Sequence, residues 1–224
     1  MSAQPFSTRT MQFLKENRNF ILFIGLMSVF RSAFADWYTV PSGSMQPTIE
    51  IGDRITVNKM AYDLRVPFTN HSLLRTGEPA RGDIMVFDSS AADERLIKRV
   101  VGLPGDTIAM RDEVVILNGK PLTYQLDSES AAVLIAREQL GTLNHAIQLD
   151  TTRPAALANF AAVTIPADHY LVLGDNRRSS ADSRVYGLVP RNELLGKATY
   201  VAFSLDWDNH YLPRQDRVIK DLYN

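Results

Sequence analysis

The chain has 224 residues, with 24 Lys or Arg against 25 Asp or Glu, and it contains no cysteine. This length holds one sizeable domain, or one domain with an inserted lobe. The lack of cysteine excludes disulfides, thiolate metal sites and cysteine-protease chemistry. The balanced charge, without a basic stripe interleaved with aromatic residues, argues against a nucleic-acid partner.

The N-terminal segment predicts a membrane anchor. An uncharged run extends from Asn19 to Phe30, followed by Arg31 and then by small and apolar residues to Ala35. The run alone is too short for a hydrocarbon core, which takes about 20 residues. The longer segment 19–35 comes closer, provided that Arg31 extends its guanidinium towards the outer headgroups. Three basic side chains precede the run: Arg9, Lys15 and Arg18.

These basic residues predict the orientation of the anchor, because cytoplasmic flanks carry an excess of Lys and Arg. Residues 1–18 are assigned to the cytoplasm, 19–35 to the membrane and 36–224 to an extracytoplasmic domain. Trp37 and Tyr38 suit the aromatic belt at the outer interface of the bilayer.

Two alternatives to an anchor stay open. Ala33-Phe34-Ala35 before Asp36 fits the A-x-A pattern at which secretory signal peptides are cut. Against removal, Arg31 lies between the apolar run and this site, where a charge is unusual. The second alternative is a buried core helix, which the flanking charges disfavour.

The segment 41–45, Pro-Ser-Gly-Ser-Met, indicates a nucleophilic serine close to the membrane surface, although an ordinary loop is the alternative interpretation. Gly43 before Ser44 removes side-chain bulk in a turn flanked by Gly and Pro. A serine needs a neighbouring base to accept its proton, and the strand-like run 96–101 supplies Lys98. A Ser–His–Asp triad is disfavoured without being excluded, because the histidines are scattered: His71, His145, His169 and His210.

Lys98 can act as a base only in its neutral form, and the reference pKa of lysine is about 10.4. Burial among apolar side chains lowers the pKa of a lysine by up to several units. In a strand, Leu96 and Val100 share one face with Lys98 and shield it from water. Arg99 on the other face is expected to be solvated or ion-paired. Alternation alone does not decide which face is buried, because both are equally apolar, and a surface lysine is the alternative.

Beyond residue 36, short extended segments alternate with turn residues, which predicts a predominantly antiparallel β domain. Asn118-Gly119 supplies the positive φ angles of a type I′ turn, so 114–117 and 120–124 are predicted to form a hairpin. The other predicted strands are Arg54–Val57, Ile84–Phe87, Leu96–Val101, Thr107–Met110, His169–Leu173 and Ala198–Leu205.

Two stretches interrupt this pattern. Residues 125–165 are interpreted as a small lobe inserted between two strands. A helix is predicted there over 129–140, closed by Gly141, because Ala, Leu, Ile, Glu and Arg dominate its composition. Residues 63–80, which contain two prolines and Gly77, are predicted to form a polar loop.

Four short motifs lie in order between residues 41 and 184: Pro41–Thr48, Arg81–Phe87, Lys98–Asp106 and Gly174–Arg184. Together they resemble the four conserved boxes of bacterial type I signal peptidases, with the apolar segment before them also in its expected place. One box alone is not specific, because Gly-Asp-Asn and Pro-Gly-Asp are common in turns. Four boxes in the order of the family are highly specific.

The resemblance implies a serine peptidase whose nucleophile is Ser44 and whose general base is Lys98. It also implies that Ser42 supplies its hydroxyl to the oxyanion hole, beside the backbone N–H of Ser44. By the same resemblance, Ser180 orients the ammonium group of Lys98. Removing one oxyanion donor typically slows turnover by about 10²–10³.

The rest of the fourth box has structural roles in this family. By the resemblance, Gly174 and Asp175 shape the turn that carries the segment, and Asp182 and Arg184 form an ion pair near the site. Arg178-Ser179 stands where Asp-Asn is common in the family. This departure puts local salt bridging in doubt rather than catalysis.

Apolar positions near Ser44 and Lys98 match those that line the family's small pockets for substrate residues −1 and −3. In this chain they are Val40, Met45, Ile49 and Ile97. Leu96 stands where a tyrosine is frequent, which is expected to alter the wall of the substrate pocket. Simple core packing is the alternative interpretation of each of these positions.

The resemblance implies removal of signal peptides from exported precursors at the outer face of the bacterial cytoplasmic membrane. The expected partners are precursor proteins and membrane lipid, the expected state is a monomer, and no metal or other cofactor is expected. Two alternatives stay open, a peptidase dedicated to one pilin or secreted substrate and a non-catalytic membrane-anchored β domain. A Ser–Lys self-cleaving transcriptional regulator would need an N-terminal DNA-binding domain, for which residues 1–35 are too short and too apolar.

Overall fold

A computed structural model describes residues 6–69 and 71–223. The helices are α1 (Phe6–Glu16), α2 (Arg18–Ala33) and α3 (Ser183–Tyr186). The strands are β1 (Ala35–Thr39), β2 (Asp53–Asn58), β3 (Asp63–Arg65), β4 (Ser72–Arg75), β5 (Ile84–Ser89), β6 (Glu94–Gly102), β7 (Thr107–Arg111), β8 (Val114–Leu117), β9 (Lys120–Pro121), β10 (Thr123–Glu129), β11 (Val133–Leu140), β12 (Leu143–Asp150), β13 (Phe160–Thr164), β14 (His169–Leu173), β15 (Val189–Pro190), β16 (Leu194–Asp206), β17 (Leu212–Pro213) and β18 (Lys220–Asp221).

The largest sheet contains the lysine strand β6 and the strands β1 and β2 that flank the serine segment. Its strand order is β1-β2-β16-β5-β6-β14-β15, with β17 and β18 also paired to β16. Its pairings are antiparallel, and β6 is registered on β5 so that Lys98 lies opposite Met85. Smaller antiparallel sheets contain β3–β4, β10–β12, and β7–β9 with β13. The predicted antiparallel β architecture is therefore confirmed.

Both faces of β5 are buried. Ile84 and Val86 belong to one hydrophobic cluster, and Met85 and Phe87 belong to another, as the period of two along a strand requires. Full burial of an apolar side chain of this size contributes about 1.5–3 kcal/mol. A shift of one residue would exchange the two faces, so this packing fixes the register of β6 and with it the depth of Lys98.

The strands predicted as short extended segments between turn residues are confirmed, most of them with one or more further residues at their ends. The strand His169–Leu173 has the predicted bounds. The predicted hairpin is present in β8–β9, where Asn118 and Gly119 have φ angles of 51° and 78°. These are left-handed values of the kind that a type I′ turn needs. The second strand ends earlier than predicted, at Pro121.

The helix predicted over residues 129–140 is wrong. This stretch contains the end of β10 and all of β11, which form a three-stranded sheet with β12. Ala136, Glu138 and Leu140 of β11 are buried, a period of two that composition does not reveal. Helix propensities differ by only about 0.7 kcal/mol per residue, so strand pairing outweighs them. The predicted loop 63–80 likewise contains the β3–β4 hairpin.

The apolar segment at the N-terminus is helical. Its helix α2 ends at Ala33, and Ala35 already belongs to β1. Over the described ranges 6–69 and 71–223, no helix combines the length and the apolar character that crossing a membrane requires. The transmembrane helix predicted over 19–35 is therefore not supported.

Candidate active site

Ser44 lies in the loop that joins β1 to β2. The base of this loop is closed by the backbone N–H of Val40, which donates to the carbonyl of Asp53 at 2.9 Å. The side chains of Met45 and Ile49 are buried in the first hydrophobic cluster. They anchor the loop and leave Ser44 half-buried.

A second segment, residues 174–178, holds the serine loop from the other side. The backbone N–H of Asn176 donates to the carbonyl of Ser44 at 3.0 Å, and its side-chain amide donates to the preceding carbonyl at 3.1 Å. The hydroxyl of Thr48 donates to the carboxylate of Asp175 at 2.6 Å. The backbone around the candidate nucleophile is therefore fixed by the fourth sequence motif.

Lys98 approaches Ser44 from β6. Its Nζ atom lies 2.8 Å from Ser44 Oγ and donates to the carbonyl of Ile97 at 3.0 Å. The residue is only 3% exposed. Burial lowers the pKa of Lys98 from 10.5 to about 8, although the negative charge of Asp182 raises it in part. The pKa of a general base works best near the operating pH, so this lysine has the geometry and the basicity to accept a proton from the serine.

Arg99 is buried and ion-paired, which decides between the two environments expected for it. Its Nε and Nη2 atoms donate to the carboxylate of Asp175 at 2.8 and 2.7 Å, and Nη1 donates to the carbonyl of Gly82 at 2.9 Å. Both charged side chains are 1% exposed. Burial raises the pKa of Asp175, but the Arg99 guanidinium outweighs this effect and holds the pKa below its usual value.

Asp182 links the beginning and the end of the fourth motif, Gly174–Arg184, through its carboxylate. Its carboxylate accepts hydrogen bonds from the Ser180 hydroxyl at 2.8 Å and from the Gly174 N–H at 2.9 Å, and it pairs with Arg184 at 2.7 Å. A side chain at Gly174 would collide with Ser180 and with the backbone of the serine loop. Within the described residues, the Ser180 hydroxyl bonds to Asp182 and not to Lys98, the partner that the sequence resemblance predicted.

The five predicted pocket residues divide between the two faces of β6. Four belong to the first hydrophobic cluster or pack against it: Val40, Met45, Ile49 and Ile97. Leu96 belongs to the second cluster and lines a separate cavity of ≈ 200 Å³. It does not share a wall with Ile97, because consecutive residues of a strand point to opposite faces. Ser42, the predicted oxyanion donor, is exposed.

Three charged contacts near the site were missed by the sequence analysis. Arg178 forms a bidentate pair with Glu113 at 2.8 and 2.7 Å, so local salt bridging is retained despite the departure from the family pattern. Arg177 pairs with the buried Glu138 at 2.7 Å, and His145 lies 3.5 Å from the same carboxylate. No local signal indicated the last two, because Glu138 lies in the stretch that was assigned to a helix.

These groups suit nucleophilic catalysis by a serine. A hydroxyl lies within hydrogen-bond distance of an amine whose pKa is lowered, and a buried ion pair and a carboxylate fix the segments around them. Across the described part of the chain, no group of His, Asp and Glu side chains is arranged to hold a metal ion.

Comparison with known proteins gives consistent matches. The family model described as signal peptidase, peptidase S26, matches residues 13–203. Signal peptidase I of Pseudomonas aeruginosa is 39% identical over 200 residues, which cover 82% of this chain and 69% of the relative. Signal peptidase I of Pseudomonas fluorescens is 36% identical over 217 residues, which cover 88% of this chain and 75% of the relative.

Two further matches are also named signal peptidases. Signal peptidase IB of Staphylococcus aureus is 31% identical over 168 residues, which cover 73% of this chain and 75% of the relative. A crystal structure of a signal peptidase I from Enterococcus faecalis aligns with 31% identity over 54% of this chain and 96% of that chain, with a TM-score of 0.35.

Proposed function

Because the chain belongs to the signal peptidase family, peptidase S26, we propose that it removes signal peptides from exported precursors with Ser44 as nucleophile and Lys98 as general base. The observation that carries this mechanism is the 2.8 Å distance between Lys98 Nζ and Ser44 Oγ. With a pKa of about 8, roughly a tenth of the lysine side chains are neutral at pH 7. At the reference lysine pKa of about 10.4 the neutral fraction at pH 7 is about one in 2,500.

In the proposed reaction, the scissile carbonyl carbon lies next to Ser44 Oγ. Neutral Lys98 accepts the hydroxyl proton as Oγ attacks, and the Ser44 N–H and the Ser42 hydroxyl stabilise the oxyanion that forms. The lysine then gives its proton to the departing amine of the mature protein, which leaves the signal peptide as an ester on Ser44. A water molecule then gives a proton to the same lysine and attacks this ester. The lysine returns the proton to Ser44 Oγ as the ester bond breaks, and the signal peptide leaves with a free carboxyl group.

Ser180 has a positioning role in this mechanism. Its hydroxyl proton is directed to Asp182, so the lone pairs of the oxygen are available to the ammonium group that Lys98 becomes during attack. Asp182 is itself held by Arg184 and by the backbone of Gly174. The ion pair thus acts on the reaction through the serine and the lysine.

We propose that the substrate binds as an added strand. β14 pairs only with the second half of β6, so the described stretch 94–98 has one open edge beside the reactive groups. An extended peptide hydrogen-bonded along this edge would direct alternate side chains towards the cluster that contains Val40, Met45 and Ile97. This wall is uncharged and already packed. Small residues are therefore favoured at −1 and −3, because overpacking costs typically about 1–3 kcal/mol.

We infer that α2 attaches the catalytic domain to lipid at the outer face of the membrane. The helix exposes apolar side chains along its length, most of all Phe20, Leu22 and Leu26 at 65, 62 and 70%. A helix that is apolar all round is stable in lipid or in a protein core. In this proposal residues 1–18 are cytoplasmic, and 36–224 form an extracytoplasmic monomer with 125–165 as its inserted lobe.

Substitution of the two catalytic candidates tests the mechanism. Ser44→Ala and Lys98→Met are each expected to lower kcat/KM by about 10³-fold or more while the chain stays folded, since methionine fills the space of the lysine. The two side chains act as a unit, so the double variant should be hardly slower than either single variant. The measurement is cleavage of several unrelated precursors in detergent.

Lys120→Met is the matched control, because Lys120 is an exposed lysine of the β8–β9 hairpin. It should cleave like the unmodified chain. Substantial cleavage by Lys98→Met would refute the lysine mechanism. Cleavage of one precursor and none of the others would identify a peptidase dedicated to a single substrate.

A further inference from the structure

A cationic cavity lies where α2 joins the β domain. Its volume is ≈ 260 Å³, and the charged side chains of its lining are all basic: Lys59, Arg65 and Arg95. Ser32 at the end of α2, Tyr38 of β1 and Phe68 also line it. A water molecule takes about 30 Å³, so the cavity has room for a phosphate group together with its ester substituents.

Arg65 is the buried cation of this cavity. Its side chain is 8% exposed, and the nearest carboxylate oxygen, Oδ2 of Asp63, is 3.7 Å away and already accepts from Arg191 at 3.0 Å. One of its terminal nitrogens donates to the carbonyl of Leu194. Its Nε atom has no hydrogen-bond partner among the described residues. A buried N–H of a guanidinium is costly to leave unpaired, so an acceptor that reaches this atom would stabilise the chain.

The other two cations are only partly compensated. Lys59 Nζ donates to the last carbonyls of α2 at 3.0 and 3.4 Å, where it meets the negative end of the helix dipole. Its carboxylate neighbour Asp36, at 3.2 Å, is shared with Arg31 at 2.7 Å. Arg95 pairs with Asp88 at 2.7 Å, but that carboxylate does not line the cavity. The cavity therefore presents three basic groups and no acidic one.

The position of the cavity indicates the source of an anion. It is lined by Ser32 at the end of the apolar helix α2 and by Phe68, which is 70% exposed. Tyr38, which also lines the cavity, is of the residue type that favours the headgroup level of a bilayer. A guanidinium group binds phosphate oxygens through two parallel N–H···O bonds.

We propose that this cavity binds the phosphate of an anionic phospholipid headgroup. The proposal rests on the attachment of α2 to lipid that is part of the proposed function. Arg65 supplies the buried donor, and Lys59 and Arg95 close on the phosphate from the two sides of the cavity. Binding of one headgroup would seat the β domain on the membrane in a fixed orientation.

Flotation of the full chain with vesicles tests the proposal. One set of vesicles contains phosphatidylcholine alone, and the other an equimolar mixture with phosphatidylglycerol. The ratio of the two partition coefficients removes the contribution of apolar insertion and reports headgroup preference. Lys59→Gln and Arg65→Gln should each lower this ratio by about fivefold. Lys59→Arg keeps the charge and should retain the preference, even if Arg65→Gln folds poorly.

Two controls separate a built site from general attraction. Arg31→Gln removes a cation at the same end of α2 but outside the lining, and Lys120→Gln removes one from a distant hairpin. Lys120→Gln should leave the ratio unchanged, and Arg31→Gln should lower it by much less than Lys59→Gln does. An equal loss in Arg31→Gln would overturn the proposal in favour of diffuse charge attraction. Equal partitioning of the unmodified chain into both vesicles would overturn it while leaving lipid attachment intact, and partitioning into neither would overturn both.

Two further arms exclude other ligands. Inorganic phosphate alone should not raise the melting temperature of the chain, and a rise that Lys59→Gln abolishes would assign the cavity to a free anion instead. Cleavage of a short precursor peptide in lipid-free detergent should be unchanged in Lys59→Gln. A loss there equal to the loss in vesicle binding would assign the cavity to the peptide substrate. Normal cleavage with lost headgroup preference supports the proposal and leaves the peptidase function standing.

Discussion

The pKa of Lys98 determines the pH at which the site can react. Only the neutral amine accepts the Ser44 proton, and burial sets the pKa of Lys98 at about 8. We expect kcat/KM for a precursor peptide to rise about tenfold per pH unit below this value and to level off above it. A profile that is flat from neutral pH upwards would contradict a lysine base with this pKa.

The same lowered pKa has the opposite consequence for stability. On folding, the pKa of Lys98 falls from 10.5 to about 8, so between these values the unfolded chain binds the proton that the folded chain has lost. The free energy of unfolding therefore rises with pH across this window, and below it the chain bears the full penalty of the buried ammonium. A fall of this size corresponds to at most about 3 kcal/mol.

Lys98→Met should therefore stabilise the protein while it abolishes activity. We expect its free energy of unfolding at neutral pH to exceed that of the unmodified chain by about 1–3 kcal/mol. The gain should shrink as the pH rises from about 8 to 10.5. Urea denaturation at several pH values measures both effects. If the variant were less stable than the unmodified chain at neutral pH, burial of the Lys98 ammonium would not be destabilising the folded protein.

Among the elements, the contact between β6 and the segment 174–178 depends on the buried pair of Arg99 and Asp175. Asp175→Asn preserves the shape of the side chain but leaves the guanidinium uncompensated, so we expect a loss of about 3–5 kcal/mol in the free energy of unfolding. The matched control is Glu113→Gln, which breaks the more exposed pair with Arg178 and should cost at most about 1 kcal/mol. If urea denaturation showed the same loss of unfolding free energy for both variants, the buried pair would not contribute more to stability than the exposed one.

Local signals were sufficient for the strands and for one hairpin. Asn118-Gly119 needs no partner elsewhere in the chain to adopt positive φ angles, and the continuous apolar run 170–173 is typical of a strand buried on both faces. In the stretch 129–140 the local signal is misleading, because its composition favours a helix in isolation. Its strand β11 is set by pairing with β10 and β12 and by the burial of Glu138 against Arg177. Those contacts are distant in sequence, so composition could not reveal them.

Some features of the candidate site could likewise be predicted from the sequence, and others could not. The four motifs identified the segments that contain Ser44, Lys98 and Asp182, and the structure brings all three segments together. The sequence could not tell whether Arg99 is solvated or buried, because both faces of β6 are apolar and only the partner Asp175 decides. It also grouped Leu96 with Ile97, although adjacent strand residues point to different cores.

At the scale of the whole molecule, the reactive groups lie close to the proposed lipid contact. Arg95 lines the cationic cavity, and Lys98 follows three residues later on the same strand. With a rise of about 3.3 Å per residue, the two positions are about 10 Å apart along β6. A domain held at the headgroups by α2 and the cavity would therefore keep its open strand edge within reach of a peptide that leaves the bilayer.

The orientation of the whole chain can be tested directly. Lys15 and Arg18 precede the apolar part of α2, and an excess of basic residues marks the cytoplasmic side. Protease added outside bacterial spheroplasts should digest the domain 36–224 and spare a cytoplasmic marker protein. Lys15→Gln with Arg18→Gln should weaken this protease sensitivity, because it removes the charges that orient the helix. Mass spectrometry of undigested protein should find 19–35 still attached, whereas a mature N-terminus at Asp36 would identify a removable signal and refute the anchor.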